Sequence, residues 1–184
     1  SVMIYMYITS IWATDVRIDI IKEPVDGRIE RVFKNALVLS DTNRTYSSTF
    51  CWWLNIKSMS NMQNTHTNYI LSYDMPNING HNGSFNVIYG DVNDSHSNQL
   101  TINFKNMEGN TDSFNIKDIH LQTWLCIEIV MKDLKVDCYI NGTLAQSKQL
   151  KYIPIMSDIG TLYVGKDTGF NGQLTKLSYF NYAL

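Results

Sequence analysis

Proline and cysteine are scarce, three of each in 184 residues, and glutamate is confined to Glu23, Glu30, Glu108 and Glu128. Each scarcity excludes something. None of the four glutamates has an acidic residue at the alternate-strand spacing that would set two carboxylates side by side. Paired-carboxylate hydrolysis of a glycosidic bond therefore has no sequence support. Lys and Arg are scattered, and with a net charge of −2 and a pI near 6.0 they form no basic stripe for nucleic acid. Long apolar runs are also lacking. The opening Ser1–Ile8 stretch, with Ile11 and Trp12, falls short of the ~20 residues that span a bilayer. It reads as an ordered extension docked on the domain, or as the aromatic-rich stump of an apolar helix lying upstream.

Zinc-ligand spacings are missing as well. His66, His81 and His96 sit in Asn/Ser-rich loops and His120 in a short turn, with no His-x-x-x-His or Cys-x-x-Cys pattern. No Gly-x-Ser-x-Gly elbow, phosphate loop or dinucleotide fingerprint occurs. Cys126 lies beside Glu128 on one face of an expected strand, and Cys138 belongs to the apolar face of the next. A tight turn at Lys132–Asp133 would set Ile127 opposite Cys138, so these two thiols point apart and do not suit a disulfide. Free thiols favour assembly in a reducing compartment. The sequons at Asn43, Asn82, Asn93 and Asn141 are what so Asn-rich a chain carries by chance.

What is present is a succession of short alternating runs. Val16, Ile18 and Ile20 alternate with Asp15, Arg17 and Asp19 until Pro24. A turn at Asp26-Gly27 and the return through Ile29, Val32 and Phe33 then suggest a hairpin or arm. Further strands are expected at 32–40, 49–57, 68–73, 85–89, 99–104, 113–116, 124–131, 135–141, 145–150, 161–164 and 173–180. Turn pairs separate several of them, notably Asn79-Gly80, Asn82-Gly83, Asn141-Gly142 and Asn171-Gly172. One helical turn near 118–122, capped by Asp118, is the only helical signal. Such regular short strands specify an all-β fold of two stacked antiparallel sheets.

Several strings give the chain a resemblance. Ser48-Thr-Phe-Cys-Trp-Trp-Leu-Asn55, Asn68-Tyr-Ile-Leu-Ser-Tyr73, Tyr139-Ile-Asn-Gly142 and the close from Gly169-Phe-Asn-Gly172 to Tyr182-Ala-Leu184 resemble laminin-G-like members of the concanavalin A-like lectin/glucanase superfamily. The resemblance implies an antiparallel jelly-roll β-sandwich over residues 31–184, preceded by an N-terminal apolar segment and arm over 1–30. It also implies that the last strand, Leu174–Phe180, returns beside Val32–Leu39. Glucanases of the superfamily carry Glu-x-Asp-x-x-Glu or a close variant, which this chain lacks, so the resemblance points away from an enzyme.

Sandwiches of this kind often hold calcium at a loop rim. Here Asp91, Asn93 and Asp94, with Asp167 in another loop, offer the oxygen ligands that calcium takes. Trp53, Tyr73 and Tyr89 offer rings for stacking a glycan, or else for packing between the sheets. Two functions of different kind remain. One is a structural module making protein–protein contacts, which resembles the minor capsid or membrane-associated virion proteins of large DNA viruses and uses residues 1–14 at a neighbour or membrane. The other is a lectin-like, calcium-assisted glycan binder.

Overall fold

The computed structural model describes residues 15–37, 47–58, 67–75, 84–90, 97–106, 109–152 and 159–184. Among them the regular elements are strands: β1 Arg17–Ile21, β2 Val25–Asp26, β3 Arg31–Lys34, β4 Ser47–Ile56, β5 Asn68–Asp74, β6 Ser84–Tyr89, β7 Gln99–Lys105, β8 Thr111–Lys117, β9 Leu125–Lys132, β10 Lys135–Ile140, β11 Thr143–Gln149, β12 Thr161–Val164 and β13 Gly172–Phe180. They pair antiparallel into two sheets. One runs β1-β13-β4-β9-β10-β11, with β2 also on β13; the other runs β3-β12-β5-β6-β7-β8.

The alternation that marks β4 decides which face is buried. Phe50, Trp52, Leu54 and Ile56 are all buried, while Cys51, Trp53 and Asn55 point outward. Aromatic rings tie the two layers together. Phe50 of the first sheet stacks on Phe85 of the second at 5.4 Å and meets Tyr179 at 5.1 Å, and Phe85 continues to Phe104 at 5.1 Å. Centroid separations of this size carry favourable ring-to-ring terms beyond area burial. Inside this core Trp52 Nε1 is buried with no hydrogen-bond partner, the one such side-chain atom among the described residues.

All the expected strands but one form within two residues of the expected bounds, because the period-2 pattern fixes them; the strand expected at 32–40 ends at Lys34, where Asn35 turns with φ of 52°, and 38–40 lie outside the described residues. Four further expectations are corrected. The 16–34 hairpin does not form: β1 pairs with β13 in one sheet, while β3 pairs with β12 in the other. Amphipathic β1 docks as an edge strand, packing Ile18 and Ile20 on the core, and the Asp26–Arg28 turn sends the chain across to the second sheet. For the same reason β13 returns beside β1, β2 and β4, and not beside Val32. No helix occurs at 118–122. Asp118 and Gln122 have φ of 58° and 57°, left-handed values that a right-handed turn cannot use.

The fourth correction concerns the β9–β10 turn, which occupies Asp133–Leu134, one residue later than expected. Cys138 therefore opposes Ile129 instead of Ile127. A one-residue displacement of a two-residue turn moves the register by two, so the faces are preserved. Cys138 is buried in the core, and Cys126 stands on the outer face with Glu128. The following turn, Asn141-Gly142, has positive φ at both residues (51° and 76°), the geometry that a tight hairpin requires. Asn141 also receives the Cys126 backbone N–H on its side-chain oxygen at 2.9 Å.

Candidate functional site

The outer face of the first sheet is ordered into rows by strand register. Asp19, Ser178, Cys51, Glu128, Tyr139 and Leu144 lie in one row across β1, β13, β4, β9, β10 and β11. Trp53 and Cys126 pair in the next row. On the other side Phe180, Thr49, Val130 and Asp137 form a third. The C-terminal tail covers part of this third row. Thr49 Oγ1 donates to the Tyr182 carbonyl at 2.9 Å and accepts from the Leu184 N–H at 3.2 Å, and Thr49 and Val130 are buried.

Beyond the tail the face stays open and is rich in large side chains. Trp53 is 37% exposed and Leu144 51%, with Tyr139, Phe180 and Tyr182 half-buried. Two ion pairs lie toward its edges. Arg17 donates from Nε to Asp19 at 2.8 Å while lying 5.6 Å over the Phe180 ring, and Lys135 bonds Asp137 at 2.7 Å. The Ser178 hydroxyl, and then Arg17, hold the Asp19 carboxyl below its ordinary range.

At the centre of the face two thiols and a carboxylate converge. Cys51 Sγ lies 3.9 Å from Cys126 Sγ, and Cys126 Sγ lies 3.8 Å from Glu128 Oε1; all three residues are half-buried. Burial, and then the neighbouring Cys126, pushes the Cys51 thiol up to about 12; burial raises Cys126 too. Both are therefore protonated at neutral pH and are poor nucleophiles.

The second sheet presents a different outer face. Tyr163, Ser72, Asn86, Asn103 and Ser113 form a row in register, in which Ser72 is buried and donates to Asp74 at 3.1 Å and Asn103 donates to Asn86 at 2.8 Å. Lys166 pairs with Asp74 and lies over the rings of Tyr163 at 4.8 Å and Tyr69 at 5.8 Å. Burial pulls the Lys166 ammonium down, but the Asp74 carboxylate outweighs it and leaves the group above its ordinary range.

Of the residues expected to stack a glycan, only Trp53 is placed to do so. Tyr73 and Tyr89 are 1% and 3% exposed, inside the sandwich, with the Tyr89 hydroxyl bonded to Asn98 at 3.0 Å. Their alternation on β5 and β6 faces them inward, which corrects that expectation and leaves packing as their role. Of the calcium candidates, Asp91, Asn93 and Asp94 lie outside the described residues. Asp167 is exposed, with φ of 59° and its backbone N–H on Glu30 at 3.1 Å. The Cys51–Cys126–Glu128 cluster was not expected. Its cysteines are 75 positions apart, and only the pairing of β4 with β9 brings them together.

Comparison with known proteins fits this architecture. A laminin-G-like family model, described as the concanavalin A-like lectin/glucanases superfamily, matches residues 34–184. No curated protein matches the chain by sequence. Among solved structures, domain 4 of AbnA, a GH43 extracellular arabinanase from Geobacillus stearothermophilus in complex with arabinotriose, is 15% identical. It superposes with a TM-score of 0.55 over 92% of this chain and 83% of that one. The binding domain of botulinum neurotoxin serotype D/C is 16% identical with a TM-score of 0.56, over 94% of this chain and 44% of that one. The NanB sialidase from Streptococcus pneumoniae is 16% identical with a TM-score of 0.58, over 87% and 27%. The chain thus spans less than half of the toxin and sialidase structures, and the likeness is one of fold.

Proposed function

We propose, from the premise that the chain belongs to the concanavalin A-like lectin/glucanases superfamily, that it is a non-enzymatic structural module docking a protein partner on the outer face of its first sheet. The observation that carries this reading is the open patch of large apolar side chains spread over two adjacent rows of that face. Trp53 and Leu144 are exposed and Tyr139 half-buried, with the Arg17–Asp19 and Lys135–Asp137 pairs toward the margins. Trp and Tyr in such a setting are the residue types that dominate protein interfaces, each central anchor contributing roughly 2 kcal/mol or more. The protonated thiols and the missing carboxylate pair give no support to catalysis. The partner is another structural subunit presenting apolar side chains. A minor capsid or membrane-associated virion component of a large DNA virus, assembled in a reducing compartment and reaching its neighbour also through residues 1–14, agrees with the sequence resemblance and with three unpaired cysteines.

Trp53→Ala combined with Leu144→Ser is expected to weaken capture of the chain by the particle or membrane fraction of its native source by at least about 30-fold, equivalent to one lost anchor. Both side chains are exposed, so the unfolding midpoint should move little. Undiminished capture would refute the docking face.

A second reading has its own observation. The polar side chains Asn86, Asn103 and Ser113, in one row with Tyr163, offer donors and acceptors suited to a sugar. On this reading the second sheet binds a glycan, with calcium at the loop bearing Asp91, Asn93 and Asp94, and the partner is a carbohydrate. The arabinotriose complex of the similar arabinanase domain supports it by analogy of fold.

A further inference from the structure

We infer that Cys51, Cys126 and Glu128 form a binding site for a thiophilic divalent cation, zinc in the first place, on the outer face of the first sheet. Two of the three ligand–ligand edges match those of a tetrahedron. Zinc–sulfur bonds of about 2.3 Å and zinc–oxygen bonds of about 2.1 Å set ligand–ligand edges of about 3.8 Å and 3.6 Å. The observed sulfur–sulfur and sulfur–oxygen separations are 3.9 Å and 3.8 Å. All three donor atoms lie within 4.8 Å of one another, so small rotations of these half-buried side chains bring them around one ion. The donor set of two thiolates and one carboxylate suits zinc and excludes calcium or magnesium, which take oxygen alone.

The ligands are also held where they are needed. β4 and β9 are internal strands, flanked by β13 and β10, so the backbones carrying the ligands are fixed from both sides. A disulfide is the competing use of two neighbouring thiols, and the register disfavours it. Cys51 opposes Glu128 and Cys126 opposes Trp53, so the cysteines are diagonal neighbours. A disulfide needs the sulfurs at about 2.05 Å, roughly half their present separation. On binding, each thiol gives its proton to solvent and the ion takes two thiolates and a carboxylate, leaving a fourth position for water. The site joins two strands of the core sheet whether or not a partner is docked, so it stands independently of the function proposed above.

The test uses the full chain, reduced and metal-free, titrated with Co(II) and then Zn(II). Expected are thiolate charge-transfer absorption and intense visible bands of tetrahedral Co(II), saturating at one equivalent and quenched by Zn(II). Cys51→Ser and Cys126→Ser should each abolish these bands. Glu128→Gln should weaken Co(II) binding by at least about tenfold, the smallest loss usual when even the outer shell of a metal site is disturbed. Cys138→Ala, on the opposite face, should leave the spectrum intact. Zn(II) should also raise the melting temperature of the wild-type chain and of Glu128→Gln to a lesser degree, which keeps the test valid if a cysteine variant folds poorly. Absence of the bands in the reduced wild-type chain would overturn the assignment. So would their survival in Cys51→Ser or Cys126→Ser, or a Cys51–Cys126 disulfide that forms in air while the reduced chain binds no metal.

Discussion

Phe50→Ala is expected to lower the free energy of unfolding by about 3–5 kcal/mol, the usual loss when a fully buried aromatic is cut back to a methyl group. The ring is inaccessible to solvent and stands where the two sheets meet, against Phe85 from one and Tyr179 from its own. Its removal leaves a cavity that neither layer can fill, because Phe85 is already engaged with Phe104. Against the ~5–15 kcal/mol that holds a domain of this kind together, such a loss is a large share. Urea denaturation monitored by tryptophan fluorescence would read it as a fall in midpoint at unchanged slope. A loss under about 1 kcal/mol would show that the aromatic bridge is not what couples the sheets.

Gly169→Ala is expected to cost about 2–5 kcal/mol for a different reason. Its φ of 60° disfavours any Cβ by roughly 1–2 kcal/mol. A Cβ there would also stand 1.9 Å from the Gly27 carbonyl oxygen, adding an overpacking cost of about 1–3 kcal/mol. That oxygen cannot easily withdraw, since it accepts the Phe170 N–H at 3.1 Å and so pins the crossing between β2 and β3 to the loop before β13. Gly142→Ala is the matched control. Its φ of 76° is similarly left-handed, but nothing lies within 4 Å of the added carbon, so only the dihedral cost applies. Equal losses at the two positions would contradict the clash.

The contrast between these glycines shows what was legible in the sequence. Asn141-Gly142 announces its turn locally, because its two residue types are those that tolerate positive φ. Gly169 gives no local sign of its contact with Gly27, which lies 142 positions away. Strand positions behaved like the first case. Alternation such as Phe50, Trp52, Leu54 and Ile56 encodes both an element and its buried face, and so correctly separated Cys126 from Cys138. Pairings behaved like the second. The apolar alternation of β1 is compatible with a hairpin or with an edge position, and the choice depends on β13, at the far end of the chain. The candidate site follows the same division. Trp53, Tyr73 and Tyr89 each carry the same two readings in the sequence, glycan stacking or packing, and only burial separates them, with Trp53 outside and Tyr73 and Tyr89 within. The Cys51–Cys126–Glu128 cluster was invisible to spacing rules, because its ligands come from two strands joined only by sheet register.

The central claim is that the outer face of the first sheet, and not that of the second, meets the partner. A photo-activated cross-linking residue placed at Trp53 in one variant and at Asn103 in another, each irradiated with material from the native source, tests it most directly. Adducts from Trp53 to one abundant structural protein, with none from Asn103, are the predicted result. Protein-free adducts or glycan capture at Asn103, with Trp53 silent, would contradict the account and transfer the function to the amide-rich sheet.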